Sequence, residues 1–381
     1  MRNPLLSVLV LTGASLAVAQ SADELNKLQF HGFAAQALVA TSHNNYLGMD
    51  TRNLSAGWTE AALNVNDEVS DKLRVGLQLH YMRLGMFGGD TVSVDWAMGD
   101  YKFNPELGIR AGRVKIRWGL YNDTQDYDPG YMWSLLPEPV YAVDWRATNL
   151  AQNGAELYGK LEMGERNVLQ YSLYYGAYSF ASNDGYMESY KEEGVDFASP
   201  PGGKTPGFDL RWATPVQGLT LGGSLMVYTA SGNLVNGTFA QPSSYWPAYY
   251  AQYNYKKVFA SGQYARDIEY DVTTLTGQAP QVDPLDQRAW FIMGGYHLTP
   301  KLEAGAYYAH YLDAQGGDNS DPANYYRDWV ASGRYDFSAD FYLKMEAHFM
   351  DGNGVGFYDA DNPNGLAQRS NALVAKLGFT F

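Results

Sequence analysis

Stretches of alternating side chains, joined by connections that are short and long in turn, recur along the 381 residues of this chain. Sixteen such stretches are read near 28–41, 57–68, 72–84, 91–103, 107–117, 153–163, 167–180, 207–214, 218–230, 247–256, 257–271, 286–297, 301–313, 325–337, 341–351 and 369–381. Successive side chains of a strand point to opposite faces, so a period of two sorts each stretch into two faces. Connections after even-numbered stretches are tight: Ser70-Asp71, Asn104-Pro105-Glu106, Gly164-Glu165-Arg166, Pro215-Val216-Gln217, Thr299-Pro300 and Ser338-Ala339-Asp340. Those after odd-numbered stretches, such as 181–206, 231–246, 314–324 and 352–368, are longer and rich in Gly, Asp and Asn. A repeat of about 23 residues per strand and connection is well above the ~8–12 of soluble sandwiches. An even count with this asymmetry predicts an all-β, antiparallel transmembrane barrel, its short turns periplasmic and its longer loops extracellular.

The two faces differ in chemistry. Leu73, Val75, Leu77, Leu79 and Tyr81 alternate with Arg74, Gln78 and His80; Phe341, Leu343, Met345, Ala347 and Phe349 alternate with Lys344, Glu346 and His348. Leu157 and Leu161 alternate with Glu156, Lys160 and Glu162, and in the last stretch Leu373, Ala375, Leu377, Phe379 and Phe381 oppose Lys376. The lumen-wall candidates are therefore Arg74, His80, Glu156, Lys160, Lys344, Glu346 and Lys376. Charges in mid-strand predict a wet inner wall around an aqueous bore. The stretches 257–271 and 286–297 alternate poorly and leave their register open.

Composition fits once alternation is allowed for. A hydrophobic share of 46% and a mean hydropathy of −0.34 would by themselves describe a soluble protein. A barrel apolar outside and polar inside has the same average. Tyr 31, Trp 9 and Phe 16 suit aromatic girdles at the membrane interfaces. With no cysteine there is no disulfide framework and no thiol chemistry, and a net charge of −14 argues against nucleic-acid binding. Residues 1–19 read as a secretory signal: Arg2, an apolar run Leu5 to Leu11, and Ala17-Val18-Ala19 before the cut. Residues 20–381 then form one barrel domain. Its expected surroundings are outer-membrane lipid; the acidic loops either form an ordinary solvated surface, the first expectation, or meet lipopolysaccharide through divalent cations. The histidines (His31, His43, His80, His297, His310, His348) show no close ligand spacing, and the acidic stretch Asp313 to Asp321 lacks a calcium-loop pattern, so neither metal nor cofactor is expected.

One connection is unlike the rest. Residues 118–152, after the fifth stretch, carry Trp118, Tyr121, Tyr127, Tyr131, Trp133, Leu135, Leu136, Tyr141 and Trp145. A loop so long is functional or disordered, and this one is too aromatic for disorder. It is expected to fold into the lumen as a constriction. Five acids (Asp123, Asp126, Asp128, Glu138, Asp144) and one base (Arg146) lie within it, and Arg110, Arg113, Lys115 and Arg117 precede it. Opposed charges across a narrow throat would make a transverse field that selects solutes by sign. Arg110 has the parity opposite to Arg113, Lys115 and Arg117. Either a bulge near Gly112 turns all four inward or some sit at the rim.

The run Gly108-Ile109-Arg110-Ala111-Gly112-Arg113-Val114-Lys115-Ile116-Arg117-Trp118-Gly119-Leu120-Tyr121 resembles the fifth strand and third-loop entry of Gram-negative porins. The opening Phe30-His31-Gly32-Phe33 and the C-terminal Phe381 also look like that family's first and closing strands. The resemblance covers nearly the whole chain beyond residue 19. It implies a homotrimer in the bacterial outer membrane, each barrel passing small hydrophilic solutes or ions passively past its third loop, with no enzymatic activity. The Pro-Glu-Phe-Gly-Gly loop tip of general porins is replaced by Pro137-Glu138-Pro139-Val140-Tyr141, which points to a specialised subfamily. The rivals are a phospholipase-like outer-membrane enzyme, needing a Ser–His pair on the lipid-facing wall, and a structural or adhesin barrel.

Overall fold

The computed structural model describes residues 28–316 and 318–381; the secretory signal expected at 1–19 lies outside them. The strands are β1 (Leu28–Thr41), β2 (Ser55–Glu68), β3 (Leu73–Leu84), β4 (Val92–Asn104), β5 (Leu107–Lys115), β6 (Ala151–Glu162), β7 (Val168–Ser179) and β8 (Gly207–Ala213). They continue as β9 (Leu219–Leu234), β10 (Gly237–Tyr255), β11 (Val258–Leu275), β12 (Gln281–Thr299), β13 (Leu302–Asp313), β14 (Tyr325–Asp336), β15 (Phe341–Asp351) and β16 (Arg369–Thr380). A further three-residue strand, Gly202–Lys204, prolongs β8 between β7 and β9 beyond a break at Thr205-Pro206, where proline has no N–H for the ladder. Each strand pairs antiparallel with its sequence neighbour. β16 returns to β1 through Phe33↔Thr380 to Thr41↔Ala372, closing a 16-strand barrel.

The seam is pinned at the terminal aromatic. Gly32 N–H donates to Phe381 O at 3.0 Å and Phe381 N–H to Gly32 O at 3.1 Å. A Cβ on Gly32 would lie 2.5 Å from the Phe381 ring, so the close approach of ring to backbone needs glycine there.

Alternation becomes two environments. Outward Ile292, Met345, Phe349 and Leu373 are exposed, while Tyr342, Lys344, Glu346 and His348 on the opposite parity are buried. On the outer face Tyr335, Phe337, Phe341, Phe379 and Phe381 gather near the short turns, and Trp290, Tyr308, Trp329 and Phe349 near the long loops. From Phe341 to Phe349 is about 27 Å along the strand at ~3.4 Å per residue. At the ~40° tilt of such barrels this is about 21 Å along the membrane normal, close to the ~25 Å apolar band that lipid requires.

One expected connection is corrected and one open register is resolved. Residues 231–246 are not a loop: β9 and β10 continue as a hairpin through Leu234↔Gly237, turning at Val235-Asn236. Above the membrane both strand faces meet water, so the polar composition that suggested a loop is compatible with pairing. The ladder to β11 is interrupted between Ala240 and Tyr245, where Pro242 stands. The register of 257–271 with 286–297, open in the sequence, is an unbroken ladder from Val258↔Tyr296 to Thr273↔Gln281.

Nor is the central inner wall wet. Lys344 and Lys376 are 0% and 1% exposed. Loops fold inward and bring apolar groups: Tyr46, Leu47, Trp58, Leu84, Tyr326 and Phe357 pack in one cluster, and Trp118, Tyr121, Trp133, Tyr250 and Phe291 in another. The wall charges are met by loop groups instead of bulk water.

Candidate channel constriction

β5 is short, and after Lys115 the chain leaves the wall. Ile116 N–H still bonds to Leu150 O (2.9 Å), and the Asn122 amide donates to Ile116 O and Asn149 O, tying the neck of a loop that spans 116–150. Gly119, with φ +63°, makes the turn inward. Trp118 then crosses to β10, where its indole N–H donates to Trp246 O at 2.8 Å and its ring stacks on Trp246 at 4.9 Å. Gly119 N–H bonds to Ser224 on β9, and Leu120 N–H and the Tyr141 hydroxyl both donate to Gln263 on β11. Farther along, the N–H groups of Ser134 and Leu135 donate to the Glu346 carboxylate on β15, and Lys344 donates to the carbonyls of Asp128 and Trp133. Arg334 on β14 holds Pro129 O and Tyr131 O. The loop is thus fastened to walls around most of the barrel.

Seven of the ten expected throat residues form ion pairs. Asp128 lies between Lys376 (2.6 Å) and Lys344 (3.0 Å) and accepts from the Tyr342 hydroxyl; Lys376 also reaches Glu60 at 3.2 Å. Asp126 pairs with Lys115 at 2.6 Å and Asp123 with Arg117 at 3.2 Å. Arg211, on β8 and unsuspected from sequence, bridges Asp123 and Asp209 at 3.1 and 2.7 Å. Arg146 points back to Asp95 on β4 (2.6 Å), with His80 and Gln78 beside them, and His80 also contacts Glu60 at 3.0 Å. Arg110 spans Asp100 and Glu156 at 3.0 and 2.9 Å. His348 lies between Asp328 (2.7 Å) and Glu346 (3.4 Å).

Arg113 does not join this network. Both ladders of β5 run through Gly112 without a shift, despite its φ of +125°, so Arg113 stays on the face opposite Arg110. The irregularity is in β4 instead: Gln78 pairs with Trp96 and Leu79 with Val94, which leaves Asp95 over and buries both Asp95 and Trp96. Arg113 Nε donates to the carbonyls of Val94 and Asp95, at 2.9 and 3.0 Å. Lys115 turns inward because the strand ends there. Lys160 keeps the parity of Glu156 but lies at the rim of the short turns, paired with Glu162 at 2.8 Å.

Cavities flank the loop. On the periplasmic side one of about 300 Å³ is lined by Arg74, Arg110, Lys115 and Arg117 with Asp100, Asp123 and Glu156. On the outer side one of about 40 Å³ is lined by Trp118, Tyr141, Trp145 and Trp246 with Glu138 and Asp267. Glu138 accepts from Val143 N–H (3.2 Å) and Asp144 from the Tyr358 hydroxyl; neither has a basic partner among the described residues. Three further acids escaped the sequence reading: Asp267, Glu269 and Asp271, at every second position of β11, all buried on the inner wall. Their spacing, alternating with Ile268 and Tyr270, was the available signal, blurred by Arg266 on the outward face just before them.

No protein-family model matches the chain, and no curated protein matches it. Solved outer-membrane barrels share its fold. OmpF of Salmonella typhi, in complex with daunomycin, is similar at TM-score 0.57 and 14% identity, over 93% of this chain and 97% of that one. The trimer form of OmpT, an outer-membrane protein of Vibrio cholerae, gives 0.56 and 11% over 93% and 99%. An anion-selective porin from Comamonas acidovorans gives 0.55 and 11%, also over 93% and 99%. The chain has the porin-like fold of the bacterial outer membrane, a closed 16-strand antiparallel barrel.

Proposed function

We propose that this protein is a porin-type channel through which small hydrophilic solutes or ions pass passively, without covalent chemistry. The observation that carries this reading is the 116–150 segment, which leaves the wall at Lys115 and is fastened to β9, β10, β11, β14 and β15, so that anything crossing the barrel must pass it. Bases and acids are largely matched on its periplasmic side, whereas on its outer side Glu138 and Asp144 have no basic partner among the described residues, an asymmetry that favours selection by charge. Tight packing around the loop favours a narrow, specialised channel over a wide general one.

A homotrimer accounts for Gln36, Thr59 and Arg113, polar groups on the outward parity of β1, β2 and β5 that lipid would not solvate and a partner subunit would. Outside, just beyond the Trp290–Trp329 girdle, Arg266, Arg288, Arg327 and Arg369, paired with Asp286 and Asp351, would be the groups to meet lipopolysaccharide phosphates.

The test is conductance in planar bilayers. The expected result is small steps in threes, with a reversal potential in a salt gradient that moves when Asp126→Ala or Arg117→Ala is introduced. The enzyme rival needs a Ser–His pair. Ser42 and His43 do share a 2.7 Å hydrogen bond, but in an exposed loop and without an ion-paired carboxylate on His43 among the described residues. Lipid hydrolysis abolished by His43→Ala, with no conductance, would overturn the channel reading.

A further inference from the structure

The outward face of β10, β11 and β12 carries a hollow at membrane depth. Its floor is Ala251, Ala260 and Gly262, brought together by the pairings Ala251↔Gly262 and Tyr253↔Ala260. Around them stand Tyr249, Tyr253, Tyr264, Trp290 and Ile292, and the groove so enclosed measures about 760 Å³. One strand further, Gly294 continues the floor through Ala260↔Gly294.

Packing does not account for the floor. Glycine inside a strand weakens it, and marks a bulge, a sharp bend, or close approach of a ligand or another backbone. The ladders show no shift at Gly262 or Gly294, and neither residue takes a positive φ. A Cβ on Gly294 would meet nothing nearer than 3.6 Å, and one on Gly262 nothing nearer than 3.1 Å. On the inward neighbour Gly295, by contrast, a Cβ would clash with the Phe259 ring. The barrel needs glycine at 295 and has room for a side chain at 294. What is left is approach of a ligand from the lipid side.

Charge indicates which ligand. Toward the short turns, Tyr255↔Val258 closes β10 and β11 around Lys256-Lys257. Both lysines are exposed, and among the described residues neither has an acid partner. Lys256 lies 5.1 Å from the Tyr255 ring and Lys257 6.0 Å from that of Tyr296. Lys256 takes φ +54°, a position that hairpin turns usually give to glycine or asparagine. Of the other short turns, those at Asp71, Glu106, Glu165 and Asp340 carry an acid, and Pro215-Val216-Gln217 and Thr299-Pro300 carry no charge. In a chain of net charge −14, this rim is locally positive.

Dimensions agree with a two-chain lipid. From Leu219 on β9 to Ile292 on β12 the groove spans three strand spacings of ~4.8 Å, about 14 Å. That takes two acyl chains side by side at ~4 Å contacts. From Tyr253 to Lys256 is roughly 10 Å along the strand, which leaves a headgroup at the turn when the chains lie in the groove. We propose that the groove is a specific site for one anionic diacyl glycerophospholipid of the periplasmic leaflet, its phosphate held by Lys256 and Lys257. The phosphates of lipopolysaccharide would lie at the opposite rim, by the long loops. β10 to β12 are across the barrel from β1, β2 and β5, so subunits joined there leave the groove open. The site needs only the membrane barrel and stands apart from the channel reading.

The experiment is native mass spectrometry of the detergent-folded protein titrated with phosphatidylglycerol, with phosphatidylethanolamine of the same chains as zwitterionic control. One phosphatidylglycerol per barrel is expected, retained at concentrations at least tenfold below those that phosphatidylethanolamine needs. Lys256→Asn with Lys257→Gln should abolish that preference, and Ala251→Leu with Ala260→Leu should weaken retention of both lipids. The barrel fold of each variant is checked by heat-modifiable electrophoretic mobility. Equal retention of the two lipids by the wild type, or folded variants that bind like it, would overturn the proposal. So would lipid-free pairs of barrels that Ala251→Leu dissociates, since the groove would then be a contact between copies.

Discussion

Asp128 shows how much of this interior depends on single charges. It is the common counter-ion of Lys344 and Lys376, both buried, on neighbouring strands. Removing one partner of a buried pair leaves an uncompensated charge, at about 3–5 kcal/mol. Asp128→Ala should therefore lower stability by roughly that amount, read as a lower denaturant midpoint with unchanged cooperativity; Lys160→Ala, at the exposed rim, should have almost no effect on it. Parity, a property of sequence, told that Arg110 and Arg113 face opposite ways. That Lys115 swings inward, that Asp95 is squeezed out of register, and that Arg211 reaches the loop depend on where a strand ends and what crosses the lumen. Residues far apart in the chain decide those contacts, and no local pattern records them.

At the scale of elements, strands were legible where one face is lipid and blurred where it is not. β15 and β16 lie within the apolar band, and their stretches 341–351 and 369–381 matched almost to the residue. β11 and β12 rise above it, with Arg266, Asp286 and Arg288 paired on their outward face, so the contrast that marks a membrane strand fades there. The inward loop was legible from length and aromatic content, but its anchors on β9 to β11 were not. Of those anchors, Trp118 should matter most: Trp118→Ala frees the neck of the loop, and the expected readout is a noisier channel with frequent transitions between conductance levels. The outer segment after β7 carries a pH response. Asp184 caps the helix Gly185–Glu192, accepting from Met187 N–H and from Thr148 of the third loop. Burial pushes its carboxyl from 3.8 up to about 7. The proton held in the folded state stabilises this docking fully below the ordinary carboxylate range, and that contribution is lost as pH rises through about 7. Residues 181–206 should resist limited proteolysis better at pH 5 than at pH 8, and Asp184→Asn should shrink the difference.

For the molecule as a whole, an apolar exterior, two aromatic girdles and a closed hydrogen-bonded wall answer the demands of a bilayer, and an inward loop crosses the lumen where, in the proposed channel, it would set what passes. The central claim is that the 116–150 segment controls that passage, and single-channel conductance before and after deletion of residues 124–141 tests it most directly. The wild type should conduct in small steps and the deleted variant, still heat-modifiable, in steps several times larger. Equal conductance from the two proteins would contradict the account.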